Sequence, residues 1–206
     1  MQKLIFSLFL SFLAITTFGQ KKEIPVSFNF GCETIAGGKP VGWENFGSSA
    51  YLIAIGSIQV KSGKYSISIQ SSGEKSDFKA WAFTISNSYP GKKITLSGFV
   101  KTENVTDGYA GLWMRIDPAI AFNNMNDRGI KGTTDWQKYE ITLNLKPEKT
   151  KRIVIGGLLV GKGKMWLDDF QVTIDGKNIE TLKPIAPVKF LADKDQEFVN
   201  GSQIND

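Results

Sequence analysis

The chain lacks histidine altogether, and Cys32 is the only cysteine among its 206 residues. Without an imidazole, the Ser-His and Cys-His pairs that most often activate a nucleophile cannot form. A single cysteine provides no disulfide framework, so a folded domain has to be stabilised by its hydrophobic core. The commonest mechanisms of nucleophilic catalysis, which activate the nucleophile with histidine, are therefore excluded. Carboxylate pairs and Ser-Lys pairs need no histidine, but no serine lies in a G-x-S-x-G setting.

The chain also lacks long runs of one charge and long amphipathic helices. Its net charge is +5, and acidic residues are interspersed with the lysines along the whole length. A nucleic-acid-binding surface favours a basic run or stripe, which does not occur here. Nothing between residues 24 and 179 shows the periodicity of a long amphipathic helix. The charge pattern therefore argues against nucleic acid as a partner.

The first 19 residues have the layout of a secretory signal peptide. One lysine precedes an apolar run, residues 4–13, that only Ser7 and Ser11 interrupt, and Gly19 provides a small residue for cleavage. The run is too short for a comfortable transmembrane helix, although an uncleaved N-terminal anchor is an alternative. We therefore expect an exported protein, periplasmic or extracellular, that is not inserted in a membrane after cleavage.

Residues 20–182 are predicted to form one all-β domain. Short runs rich in Ile, Val, Thr, Phe and Tyr alternate with clusters of Gly, Asn, Asp and Pro at intervals of about eight to fifteen residues. About eight or nine strands can be placed, which suits a two-sheet antiparallel β-sandwich of jelly-roll type. The last strand is predicted to place Trp166 on its core face, in phase with Phe170. Residues 183–206 show no periodicity and are expected to be a linker or a C-terminal tail.

The segment YAGLWMRID, residues 109–117, has two unlike faces when it is given the two-residue period of a strand. One face carries Tyr109, Trp113 and Arg115, where a solvated strand would normally carry Thr, Ser, Lys or Glu. An aromatic ring beside planar hydrogen-bonding groups can bind a sugar, because the ring stacks on the C–H face of the sugar. Alternatively a loop covers this face and Trp113 is a second core residue. The core-side face comprises Ala110, Leu112, Met114 and Ile116.

The long loop that follows this strand is rich in amides. The stretch AFNNMNDRG contains Asn123, Asn124 and Arg128, and loops of this length are usually functional or disordered. If the loop folds over the sheet, these side chains are expected to supply hydrogen bonds beside Trp113. The alternative is that the asparagines form Asx turns and nothing more.

Four motifs follow one another along the chain: VKSGKYSISI, KKITLSGFVKTENV, TDWQKYEITLNL and GKGKMWLDDFQV. In this order they resemble the jelly-roll carbohydrate-binding modules of the galactose-binding-like superfold, over residues 28–174. The stretches GYAGLWMRID, AFNNMNDRGIKGTTDWQKYEI and GGLLVGKGKMWLDDF are similar to the module that precedes tail-specific serine proteases and erythromycin-esterase-like enzymes in exported bacterial proteins. The resemblance implies a binding or positioning module that carries no catalytic residue.

The resemblance also implies a structural calcium site. In similar modules calcium is held by an acidic residue near the first strand, by the SGKYS turn and by the acidic pair of the last strand. The matching groups here are Glu33, a backbone carbonyl near Lys64, and Asp169, and calcium prefers such oxygen ligands. The alternative is hydrogen-bonded carboxylates without a metal. Because Asp168 and Asp169 are adjacent, they point to opposite faces of a strand, which counts against a glycosidase pair.

These observations favour a non-catalytic exported module that binds an oligo- or polysaccharide. In this hypothesis Trp113 stacks on a sugar ring, Tyr109 flanks the stack, and the polar side chains donate to hydroxyl groups. The alternative is a docking module whose aromatic face packs on an attached or partner hydrolase of the serine protease or esterase type, because Trp, Tyr and Arg are also common interface anchors. The predicted ligand-binding residues are Tyr109, Trp113, Arg115, Asn123, Asn124 and Arg128.

Overall fold

β-Strands form almost all the regular structure in the computed structural model, which describes residues 28–73 and 77–185. The predicted signal peptide, residues 1–19, and nearly all of the predicted tail lie outside these residues. No helix in the described part of the chain is long and apolar enough to cross a membrane. The elements are β1 (Ile35–Ala36), β2 (Lys39–Pro40), β3 (Trp43–Gly47), β4 (Tyr51–Gly56), β5 (Ser66–Ser71), β6 (Phe78–Ile85), β7 (Lys93–Asp117), β8 (Ala121–Asn123), β9 (Ile130–Asn144), β10 (Arg152–Ile174), β11 (Lys177–Asn178) and a 3₁₀ helix (Ile179–Thr181).

Two long strands, β7 and β10, pair antiparallel along nearly their whole length and organise the fold. Their register shifts near the middle of β10, between Val160 and Lys164. Gly161 has a φ of +79° at this point, and a Cβ atom there would lie 2.4 Å from the Asp107 carbonyl oxygen. Glycine is therefore required where the strand pair is irregular. Such bulges bend a strand, and the bend lets β7 and β10 each take part in two sheets.

The two sheets share these long strands. The first sheet has the order β3-β6-β10-β7-β8 and uses residues 152–160 of β10 and 109–117 of β7. The second has the order β4-β5-β10-β7-β9 and uses residues 164–174 of β10 and 93–105 of β7. β11 pairs antiparallel with the end of β10. The predicted all-β, antiparallel two-sheet sandwich is confirmed, with the two sheets joined into one curled sheet.

The main core lies between the sheets and is filled by one face of each strand. In residues 110–116 every second side chain is fully buried, which confirms the predicted core face of this segment. The Trp43 ring stacks on the Trp81 ring with centroids 6.2 Å apart, and the Trp43 Nε1–H donates to the Asn29 carbonyl oxygen at 2.7 Å. Other fully buried core residues are Ile67, Ile69, Ile94, Leu96, Val100, Ile153, Ile155 and Leu159.

Several predicted boundaries differ from the structure. The sequence predicts separate strands at residues 94–102 and 109–117, but both belong to β7 because pairing with β10 continues across the irregular middle. The predicted long loop after residue 117 contains the short strand β8, and its last residues begin β9. The continuity of β7 depends on β10, a partner strand that is distant in sequence, whereas β8 pairs with the end of β7 that directly precedes it.

Candidate functional site

The predicted binding face of β7 lies on the outside of the first sheet, opposite the main core. Its central ring is nevertheless buried, because Trp113 is only 8% exposed. The ring belongs to a second apolar cluster on this outer face. Trp113 is therefore not the open ring that sugar stacking requires, and a role in binding stays a prediction. The Trp113 cluster comprises Ala80, Ala82, Trp113, Val154 and Leu158, with Phe46, Tyr109 and Val160 packed against it.

Small residues on the neighbouring strands explain why Trp113 is buried. Trp113 is in register with Gly156 of β10, which is itself in register with Ala82 of β6. These two positions leave room for the indole to pack along the sheet instead of projecting into water. Its Nε1 is buried without a hydrogen-bond partner among the described residues. The ring therefore contributes to stability through apolar packing.

Arg115 is held by an ion pair at the border of the Trp113 cluster. Its Nε lies 2.9 Å from Asp117 Oδ1, and the Arg152 Nε lies 2.5 Å from Asp117 Oδ2. Asp117 and Arg152 are in register across β7 and β10, so two guanidinium groups share one carboxylate. Next to them, Phe122 of β8 is in register with Arg115 and is 54% exposed. This corner of the first sheet combines cationic groups with one exposed ring.

The amide-rich loop folds back onto the start of the predicted binding face. Gly129 approaches Tyr109 so closely that a Cβ atom there would lie 2.4 Å from the Tyr109 Cγ. Burial raises the pKa of the Tyr109 hydroxyl, and a hydrogen bond with the Asn124 side chain opposes this rise. The structure thus brings Asn124 to Tyr109, whereas the sequence predicts the loop side chains beside Trp113, and a part of Asn124 in ligand binding stays a prediction.

Asn123 and Arg128 make local contacts instead. The Met125 amide donates to Asn123 Oδ1 at 2.9 Å, which is the Asx turn that was the alternative for this loop. The Arg128 Nη2 donates to the Glu140 carbonyl oxygen on β9 at 3.1 Å. These two side chains are therefore not assembled with Trp113, and their part in ligand binding stays a prediction.

The residues predicted to bind calcium meet at one turn of the structure. The Lys64 amide donates to both carboxylate oxygens of Glu33 at 3.0 Å, and the Tyr65 amide donates to Glu33 Oε1 at 3.2 Å. The Ser62 hydroxyl donates to Asp169 Oδ1 at 2.5 Å. The turn thus directs N–H and O–H donors at the carboxylates, which does not fit an ion that prefers oxygen ligands. Within residues 28–73 and 77–185, no three acidic, Cys or His side chains are grouped to hold a metal ion. Calcium binding stays a prediction.

Replacing Glu33 by alanine is expected to lower the free energy of unfolding by about 1 kcal/mol, because the Lys64 and Tyr65 amides lose their acceptor. The loss should be the same in excess calcium and in excess chelator, as measured by urea denaturation. Glu44→Ala, an exposed carboxylate on β3, is the control. A wild-type stability that rises with calcium, with no such rise in Glu33→Ala, would contradict the metal-free arrangement and support the predicted site.

The sequence wrongly placed Trp166 in the core. β10 has a bulge between Asp168 and Gln171, where it advances three residues while β7 advances two, from Phe99 to Ser97. One extra residue reverses the alternation of side chains. The side chains of residues 165 and 167 are therefore in the core before the bulge, and those of residues 170, 172 and 174 after it. Trp166 consequently lies on the outer face of the second sheet, where it is partly exposed.

The outer face around Trp166 combines aromatic rings with polar side chains. Trp166 is in register with Ser68 of β5 and Lys101 of β7. The Lys164 Nζ lies 4.7 Å from the centroid of the Trp166 ring, and the Lys61 Nζ lies 4.7 Å from that of Phe99. Sequence reasoning missed this surface because the bulge changes the phase of the strand. The Trp166 face is defined here as Ser68, Gln70, Phe99, Lys101, Glu103, Lys164 and Trp166.

No protein-family model matches the chain. A stretch of 84 residues is 44% identical to part of YbfP of Bacillus subtilis, an uncharacterized HTH-type transcriptional regulator. The match covers 39% of this chain and 28% of that protein, so the chain spans less than a third of this relative. The described residues contain no α-helix, and hence no helix-turn-helix lies among them.

Several solved structures are similar to the chain. The enzymatically active domain of tailspike protein 4 from bacteriophage CBA120 has a TM-score of 0.54 at 13% identity, over 73% of this chain and 21% of that one. The carbohydrate-binding module TmCBM61, in complex with β-1,4-galactotriose, has a TM-score of 0.49 at 18% identity, over 71% and 95%. A CBM22-1 xylan-binding domain from Paenibacillus barcinonensis has a TM-score of 0.46 at 13% identity, over 70% and 91%. All three identities lie below 20%, so the likeness concerns the fold alone.

Proposed function

We propose that the chain is a carbohydrate-binding module and that it binds its glycan on the Trp166 face. The observation that supports this proposal is a partly exposed indole ring within a sheet, bordered by Ser68 on one strand and Lys101 on the other. Trp113, by contrast, is covered by its own cluster. The proposal rests on this surface chemistry, since the likeness to solved modules concerns the fold.

The Trp166 face has the two kinds of group that a sugar needs. The C–H face of a sugar ring stacks on an aromatic ring, while its hydroxyl groups exchange hydrogen bonds with planar amides, hydroxyls and charged side chains. Gln70 and Glu103 flank Lys164 on the neighbouring strands and are exposed. Lys164 covers part of the indole, but a surface cation–π contact contributes only about 0.5 to 1 kcal/mol, so the lysine can be displaced.

We expect binding without catalysis and with weak affinity. One stacked ring contributes about 1 kcal/mol beyond the area that it buries, and the costs of association offset much of this gain. Export, which the first 19 residues predict, would place the module where soluble and cell-wall glycans occur. Weak individual contacts of this kind suit a module that holds a protein near a polymer.

Trp166→Ala is expected to lower the glycan affinity about tenfold, because it removes the stacking ring. Isothermal titration calorimetry of the mature chain against a panel of soluble glycans measures this change. The panel should include β-1,4-galactotriose, xylan and a β-1,3-1,4-mixed-linked tetrasaccharide, the sugars named with the similar modules. Phe122→Ala is the matched control, since it removes an exposed ring from the first sheet.

The two variants separate the possible outcomes. Loss of affinity in Trp166→Ala, with wild-type affinity in Phe122→Ala and wild-type melting of both, supports the proposal. A wild type that binds no glycan on a broad panel refutes it. Loss of affinity in Phe122→Ala alone would place the site on the first sheet, near the residues that the sequence predicts.

Docking on a hydrolase is the second candidate, and the corner of the first sheet favours it. Phe122 is 54% exposed and lies next to Arg115 at the border of the apolar Trp113 cluster. Exposed aromatic and arginine side chains beside apolar area are typical interface anchors. Docking predicts that Phe122→Ala weakens association with the hydrolase in a binding assay and that Trp166→Ala does not.

A further inference from the structure

A pocket of about 480 Å³ lies beside the bulge of β10, and Phe99 of the Trp166 face is one of the residues that line it. This volume falls in the range of about 300 to 1,000 Å³ that is usual for small-ligand sites. Four phenyl rings line the pocket. Those of Phe28 and Phe99 are partly exposed, and those of Phe30 and Phe170 are buried. The polar side chains that line the pocket are Ser97, Lys138, Asp169, Gln171, Asn178 and Glu180.

Segments from distant parts of the chain close the pocket. The Phe28 amide donates to Glu180 Oε1 at 2.9 Å, which ties the chain before β1 to the 3₁₀ helix after β11. The Phe28 ring also stacks on Phe30, with centroids 4.9 Å apart. On the other side, Asp169 adopts a φ of +51° in the bulge, a left-handed conformation that is costly for a residue with a side chain and is often found at binding sites. The pocket is thus built from segments that lie far apart in the sequence.

The groups in the pocket suit an uncharged, hydroxyl-rich ligand. Asp169 and Glu180 offer acceptors, Lys138 offers a donor, and the Gln171 and Asn178 amides offer both. The lining carries two carboxylates and the Lys138 ammonium, and the Lys61 Nζ lies 4.7 Å from the centroid of the Phe99 ring. Phenyl rings form the apolar wall. A sugar ring has apolar C–H faces and hydroxyls that both donate and accept, which this combination matches.

The pocket is continuous with the Trp166 face through Phe99, which belongs to both. Along β7, Lys101 is in register with Trp166 and Ser97 is in register with Gln171. Four residues of a strand span about 13 Å. A short oligosaccharide can therefore contact the indole and the pocket at the same time.

We propose that this pocket holds the terminal sugar unit of the glycan whose inner units lie on the Trp166 face, so that the protein recognises chain ends. The inference rests on the proposed function and adds the orientation of the bound glycan to it. In this proposal the Phe28–Glu180 contact closes the pocket at one end, and the glycan enters from the side of Phe99, so a chain can enter the pocket but cannot pass through it.

The test uses the mature chain with β-1,4-galactotriose and with long β-1,4-galactan, or with another oligosaccharide and polymer pair of one linkage that the panel identifies. Gln171→Trp puts a bulky ring at the exposed rim of the pocket and is expected to lower the oligosaccharide affinity at least about tenfold. Thr142→Trp, on the exposed outer face of β9, is the matched control and should bind like wild type. Gln171→Ala is a second, milder variant, with a smaller expected loss.

The number of protein molecules bound per polymer chain gives a readout that needs no variant. Recognition of chain ends predicts that this number does not rise with the length of the polymer. If it rises in proportion to length, and Gln171→Trp binds like wild type while Trp166→Ala loses affinity, the pocket inference is overturned and the proposed function stands. If the wild type binds neither the oligosaccharide nor the polymer on any part of the panel, both are overturned.

Discussion

Trp113→Ala is expected to lower the free energy of unfolding by about 3 to 5 kcal/mol and to leave the glycan affinity of the folded protein unchanged. The reason is the 8% exposure of this indole within an apolar cluster that spans β6, β7 and β10. Ala82 and Gly156 cannot fill the space that the ring would leave, because neither has a side chain that can move into it. Total domain stabilities are about 5 to 15 kcal/mol, so the loss is a large fraction.

Urea denaturation at neutral pH measures this change, and calorimetry with a glycan that the wild type binds measures affinity on the same sample. Trp166→Ala is the matched control, since it truncates the same side chain on an outer face, but at a partly exposed position. We expect the opposite behaviour there: a small loss of stability and a large loss of affinity. A Trp113→Ala protein that is as stable as wild type and does not bind glycan would contradict the account.

Deletion of Asp169 is expected to prevent folding. The residue lies in the bulge of β10, where one extra residue brings Phe170, Val172 and Ile174 into the core. Without it the two-residue period would turn these three side chains to the outer face, or would turn Met165 and Leu167 outward instead. Exposing one large apolar side chain costs about 1.5 to 3 kcal/mol, so three together remove most of the stability of a domain.

Circular dichroism and a thermal melt are sufficient to detect this loss. Asp169→Gly is the control, because it keeps the number of residues and suits a φ of +51°. It loses only the acceptor of the Ser62 hydroxyl, and we expect it to fold and to melt cooperatively. A deletion variant that melts like wild type would show that the bulge does not set the phase of β10 and that Trp166 can be accommodated in the core.

The fold could be predicted from sequence because its signals are local. Alternation in residues 110–116 identifies a core face directly, and the structure fully buries the four side chains of that face, Ala110, Leu112, Met114 and Ile116. The Gly and Pro clusters mark most of the turns. The continuity of β7 and β10 could not be predicted in this way, because it depends on pairing between residues 35 positions apart (Asp117 with Arg152) to 80 positions apart (Ile94 with Ile174). Turn-forming residues at 103–108 predict an interruption of the strand. β7 nevertheless continues through them, because it pairs with β10 on both sides.

The candidate site was harder to predict because exposure depends on neighbours. The sequence shows that Trp113 lies opposite the core, but the small residues that let it pack flat belong to β6 and β10. Trp166 shows the opposite difference between prediction and structure. The apolar pattern of its strand predicts a core position, but a single bulge turns its side chain outward. The calcium site that the resemblance implies stays a prediction, and only the structure shows that the turn at residues 62–65 presents N–H groups to Glu33.

The most direct measurement of the central claim is a titration followed by NMR through the indole N–H signals of the five tryptophans. The wild-type chain, labelled with ¹⁵N, is titrated with the glycan of highest affinity from the panel, and the signals are assigned by single substitutions. We expect the Trp166 signal to shift and to saturate, while the signals of Trp113 and Trp81 stay unchanged. A saturable shift at Trp113 without one at Trp166 would contradict this expectation and return the binding site to the first sheet.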